Sequence, residues 1–124
     1  TLPLPSLVGI QTYRLASITL VIAVANEALP PWLGLPIALG DLAVGLSAPL
    51  LARALKEDPG SYAIITRSWN WLGMVIAALA MLATTATGKD AGYFLTLYPL
   101  VLIPTYLAPV SILLHALTLT EIDR

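Results

Sequence analysis

Apolar stretches of about 20 residues, divided by short clusters of charge, proline and glycine, limit what this chain can fold into. They place spans at about 10–29, 35–55, 64–87 and 93–119. The first closes at Pro30-Pro31, with Trp32 just beyond as an interface anchor. The second stops at Lys56-Glu57-Asp58-Pro59-Gly60, three charges followed by a turn dipeptide. Gly88-Lys89-Asp90 ends the third, and Glu121-Ile122-Asp123-Arg124 follows the fourth.

Composition agrees with that reading. The 124 residues are 58% hydrophobic and only 10% charged, with a mean hydropathy of +0.87. A soluble domain carries about 25% charged residues, so most of this surface must face something other than water. The alternation of a membrane strand is absent, and a closed barrel needs about eight strands. Helices satisfy their own backbone in lipid. Short loops make successive helices antiparallel neighbours. The expected fold is all-α, a transmembrane four-helix antiparallel bundle formed by one domain, residues 1–124.

Lys and Arg set the orientation. Arg14, Arg53, Lys56, Arg67 and Arg124 fall on one side and Lys89 on the other, which predicts both termini inside. The helices also carry packing signals. Gly34, Ala38, Gly45, Ala48 and Ala52 form a small-residue stripe in the second span, with Asp41 on it; Gly73, Ala77, Ala80 and Thr84 form another in the third. Small residues let backbones approach, so these stripes face the bundle interior or a second subunit. Pro99, Pro104 and Pro109 predict a bent fourth helix.

Ionisable side chains inside a membrane cost about 2.5–3.5 kcal/mol at a helix centre and are paired or functional. Counting helix rise gives an outer cluster of Asp41, Asn26 and Glu27 with Tyr98 as donor. It gives an inner cluster of Arg14, Ser17, Asn70 and His115, with Asp41 and His115 about 15–20 Å apart. The candidate ligand-binding residues are Asp41, His115, Asn70, Arg14 and Trp69. Each also has a structural reading: a buried carboxylate fixing its helix, a histidine bonded to Asn70, an arginine snorkelling to lipid phosphate, an interface tryptophan.

Several chemistries are excluded. There is no cysteine and one histidine, so neither a Cys-ligated nor a multi-His metal site forms within one chain. No metal or cofactor is expected. A formal charge of −1 speaks against nucleic acid. No catalytic residue can be assigned.

The strings LPPWLGLPIALGDLAVGLSAP (Leu29 to Pro49), RSWNWLG (Arg67 to Gly73) and YPLVLIPTYLAPVSILLHALTL (Tyr98 to Leu119) resemble a group of small uncharacterised bacterial four-helix integral membrane proteins. The shared succession is a Pro-Trp turn, a Gly-Asp pair, a Trp-Asn pair and a proline-rich last helix ending near a histidine. The resemblance implies a bacterial inner (plasma) membrane and adds weight to Asp41, Asn70 and His115 as a set, but implies no substrate.

The leading functional expectation is a protein that binds or transports a small molecule or lipophile as a homo-oligomer in the lipid bilayer. Two alternatives stand beside it. One is an accessory subunit of a larger membrane complex. The other is an intramembrane acid–base enzyme on a lipid-like substrate, using His115, Asn70 and Arg14.

Overall fold

The computed structural model describes residues 2–86 and 93–124. Among the described residues it is entirely helical, and four helices are long and apolar enough to cross a membrane: α1 (Leu4–Ala25), α2 (Pro31–Glu57), α3 (Ala63–Ala86) and α4 (Ile103–Ile122). Residue pairs fix their directions. Gly9, Leu15 and Val24 of α1 meet Ala52, Gly45 and Gly34 of α2. Ser47 and Gly40 of α2 meet Trp69 and Ile76 of α3. Arg67 and Gly73 of α3 meet Asp123 and His115 of α4. In each pair one number rises as the other falls, so the partners run antiparallel.

The boundaries differ from the sequence reading for local reasons. Helix α1 starts at Leu4 rather than near residue 10, with Pro3 extended at its cap and Pro5 in the first turn. Proline costs nothing there, because the first amides lack intrahelical acceptors. The helix stops at Ala25 rather than near residue 29. Glu27 takes a left-handed conformation (φ 58°). Its N–H donates to the Val24 carbonyl at 3.0 Å, and the Ala28 N–H to the Ala23 carbonyl at 2.8 Å. These two bonds make a Schellman closure, with glutamate where glycine is usual.

Helix α2 extends beyond the expected 35–55 at both ends. Past it, the Ser61 hydroxyl and backbone N–H bond the Asp58 carboxylate and hold it below the usual carboxylate range. The last span is not one helix from residue 93. A 3₁₀ turn covers Tyr93–Thr96, and the helix resumes as one π-turn over Ile103–Leu107 before Ala108–Ile122. Pro99 has no N–H and its ring opposes the preceding turn. The Gly88-Lys89-Asp90 break lies outside the described residues, as does the side of the bundle on which Lys89 falls.

The middle of α1 is a seven-residue 3₁₀ helix, Gln11–Ser17. In an α-helix, steps of three residues drift by about 60° around the axis. A 3₁₀ helix repeats every three residues and stacks them in line. Gln11, Arg14 and Ser17 therefore form one buried row. Apolar clusters close this row at both ends: Val8 with Leu51, Ala52 and Leu55, and Leu20 with Leu29, Leu33 and Ala80. The small-residue stripes of α2 and α3 face inward, since Gly34, Ala38, Gly45, Ala48, Gly73, Ala77 and Ala80 are buried.

At Gly45 the backbones of α1 and α2 nearly touch, and a Cβ would lie 2.9 Å from the Leu15 backbone nitrogen. A backbone atom cannot swing aside, so Gly45→Ala should cost about 1–3 kcal/mol of unfolding free energy. Leu50→Ala, at a side chain 72% exposed, should change it by no more than about 0.5 kcal/mol. Denaturant unfolding of both variants in detergent makes the comparison. Equal losses would contradict the close approach.

Candidate functional site

The 3₁₀ row carries Arg14 into the centre of the bundle, 2% exposed, rather than out to an interface. Its guanidinium reaches all three other helices. Nη1 lies 3.2 Å from Oδ1 of Asp41 on α2. Nη2 donates to the Gly73 carbonyl on α3 at 3.3 Å, and Nε donates to the Ser111 hydroxyl on α4 at 3.2 Å. Nη1 is within ion-pair range of Asp41 but lacks hydrogen-bond alignment, so its N–H bonds have no acceptor. The second Asp41 oxygen accepts from Ser17 at 2.7 Å. Ser111 gives its one proton to the Leu107 carbonyl at 2.7 Å and accepts from Tyr13, with which it makes a short contact.

One turn inward, His115 and Asn70 are fully buried and joined at 2.7 Å between Nδ1 and Oδ1. Asn70 Nδ2 donates to the Thr66 carbonyl at 2.7 Å, which leaves Oδ1 as the acceptor facing the ring. His115 must then donate from Nδ1, and in the neutral ring the lone pair is on Nε2, which has no hydrogen-bond partner. The ring lies on Gly73, where a Cβ would overlap it. Trp69 meets it edge-on, with centroids 5.3 Å apart, and donates its indole N–H to Ser47 at 2.8 Å. Trp69 is thus tied inward, while Trp71 is 57% exposed.

The structure brings all five sequence candidates into one polar layer, but not in two clusters. Asp41 belongs with Arg14 and Ser17, and Arg14 also bonds the Gly73 carbonyl beneath His115. The expected outer cluster does not form. Asn26 and Glu27 are exposed, Asn26 donates to its own helix at Ile22, and Tyr98 is 81% exposed. Depth was misjudged because α1 begins at Leu4 and not near residue 10. Those six residues carry Arg14 about 9 Å deeper. Sequence reasoning also missed Gln11, fully buried with both amide atoms unpartnered, and Tyr13. The three-residue spacing of Gln11 with Arg14 and Ser17 was its only signal, and Tyr13 carried none.

Beside Arg14 and Asp41 lies a cavity of about 20 Å³, bounded also by Tyr13, Ser17 and Ser111 and by apolar side chains of all four helices. That volume suits one water-sized group. Among the described residues no three His, Cys, Asp or Glu side chains gather as a metal would need. The site offers hydrogen-bond donors and acceptors of both charges in an apolar surround.

Residues 3–122 match the family described as Domain of unknown function (DUF8737), and the chain belongs to it. No curated protein and no solved structure matches the chain.

The single histidine makes the hydrogen-bond assignment testable. Nitrogen-15 NMR of the histidine-labelled protein should show the proton on Nδ1, and an Nε2–H tautomer would contradict the Asn70 contact. Asn70→Ala, which strands that donor, should destabilise by about 1–3 kcal/mol in denaturant unfolding.

Proposed function

We propose that this member of the DUF8737 family works in a bacterial inner membrane as a homo-oligomer that binds, and passes on, a small lipophile bearing a polar group. The Arg14–Asp41 pair and the cavity beside it are the recognition centre. The observation that carries this reading is the ion pair itself. Arg14 and Asp41 have side-chain exposures of 1% and 14% at 3.2 Å separation, inside helices apolar enough to cross a bilayer.

A buried ion pair is a poor way to stabilise a fold, because desolvation of both charges offsets their attraction. Ionisable side chains at membrane depth are costly and are commonly found where ligands or ions pass. Here the spare N–H bonds of Arg14 and the partly reachable carboxylate of Asp41 border an open volume. Side chains such as Leu46, Leu50, Leu79 and Leu82 are exposed on the outer faces of α2 and α3. Those faces meet lipid or a second copy. A cavity of about 20 Å³ is no pore, so a path across the membrane requires more than one copy.

Antiparallel pairing puts the start of α1, the α2–α3 connection and the end of α4 at one end of the bundle. Arg53, Lys56, Arg67 and Arg124 gather at that end, and the positive-inside rule then makes it cytoplasmic. Tags at either terminus should be labelled only after the inner membrane is opened.

Native mass spectrometry of the protein released gently from its own membrane tests binding. The wild type should carry a reproducible small-molecule adduct on a homo-oligomer. Asp41→Asn should reduce its occupancy by about tenfold or more, one hydrogen bond to a charged group, with assembly unchanged. An adduct indifferent to that substitution, or a fixed complex with other polypeptides and no adduct, would overturn the reading.

A further inference from the structure

A second hollow opens on the outside of the bundle between α2 and α3. It is apolar, encloses about 280 Å³, and is walled by Trp32, Pro36, Ile76 and Leu79 together with Ile37 and Ala80. Ile37 and Ala80 also wall the small polar cavity at Arg14 and Asp41. Ile37 and Ala80 thus form a wall common to an apolar groove that faces the surroundings of the helices and a cavity that reaches Arg14 and Asp41 inside them. The groove has a local cause. Gly40 lets α2 close onto Ile76, and beyond that contact towards Trp32 the hollow lies open. Its volume is roughly twice the ~150 Å³ of an apolar cavity that takes up benzene.

We infer that groove and pocket are two parts of one binding site, built for a neutral long-chain alcohol whose hydrocarbon chain lies between α2 and α3 and whose hydroxyl group lies beside the Arg14–Asp41 pair, in contact with both. This deepens the binding function proposed above and rests on it. The chemistry of the pocket selects the head. A carboxylate or phosphate would face Asp41, and an ammonium group would face Arg14. A hydroxyl group accepts from Nη1 of Arg14, which pairs with Asp41 as an ion but has no aligned hydrogen-bond acceptor, and donates to the Asp41 carboxylate. It is also the head group that matches a volume of about 20 Å³, the room of one water.

The groove selects the tail. A single chain fills it, and the lining offers no charged side chain. Trp32, 63% exposed, stands at the rim, with an apolar body for the chain. In the proposed site the chain passes the shared wall at Ala80, whose side chain is small, with Ile37 moving between staggered rotamers. The ligand thus arrives sideways from the bilayer, and its polar end never crosses the apolar clusters that close the two ends of the polar row.

The test uses the full-length protein in lipid nanodiscs and three photoreactive probes with identical diazirine-bearing chains: an alcohol, a carboxylic acid and an amine. The alcohol should label peptides containing Trp32 or Leu79 and exceed the other two by about tenfold, the factor for one hydrogen bond to a charged group. Leu79→Trp fills the groove at a side chain already 59% exposed. It should bring alcohol labelling down to the level of the acid probe. Asp41→Asn should remove the preference for the alcohol while chain labelling persists.

Equal labelling by all three probes would mean ordinary contact with lipid chains and would overturn the inference. Alcohol labelling elsewhere on the protein, or labelling unmoved by Leu79→Trp, would do the same. An Asp41-dependent native adduct with no alcohol preference in the groove sinks this inference and leaves the proposed binding function standing. An adduct indifferent to Asp41 sinks that function itself.

Discussion

The Arg14 side chain touches every other helix, and the arrangement of the bundle answers to its charge. A guanidinium has five N–H donors and cannot shed its proton. Buried at 2% exposure, it must find acceptors among its neighbours. Asp41 supplies charge from α2, the Gly73 carbonyl comes from α3, and Ser111 comes from α4. Each contact sets a depth along its helix. The glycine stripe of α2 brings that helix against α1 close enough for Asp41 to face Arg14 and Ser17. At Gly73 a missing side chain makes room for His115 as well as exposing the carbonyl.

Backbone geometry makes this possible. A regular α-helix would rotate Gln11, Arg14 and Ser17 progressively away from one another, by about 120° over the two steps. The 3₁₀ segment lines them up, and such stretches inside longer helices often mark functional positions. Apolar clusters flank the row at both ends. Electrostatic contacts between the charges inside are correspondingly stronger than at a surface. Among the described residues, four buried atoms on Gln11, Arg14 and His115 lack a hydrogen-bond partner, a condition rare in native proteins.

Much of the fold was legible because it is written in composition. Long uncharged runs give four helices, and recurring Gly and Ala give the faces that pack. Helix α4 was read less well, because three prolines announce a disturbance without saying which of them breaks the helix; Pro99 lies within the break between the 3₁₀ turn and the π-turn, and Pro104 lies within the π-turn. The site was legible as a set of residues and illegible as a geometry. His115 beside Asn70 follows from helix depth alone. The pairing of Arg14 with Asp41 does not, because it depends on where α1 begins and on a change of helical repeat within it. Neither leaves a strong trace in a chain whose surface and core are both apolar.

The central claim is that the Arg14–Asp41 pair exists for recognition more than for stability, and the double substitution Arg14→Met with Asp41→Leu tests it most directly. Apolar residues of similar volume commonly replace a buried ion pair with little loss or with gain. Denaturant unfolding and native mass spectrometry on the same preparation should show stability within about 1 kcal/mol of the wild type and the bound adduct gone. A folded double variant that keeps its adduct would contradict the account and make the pair a structural element.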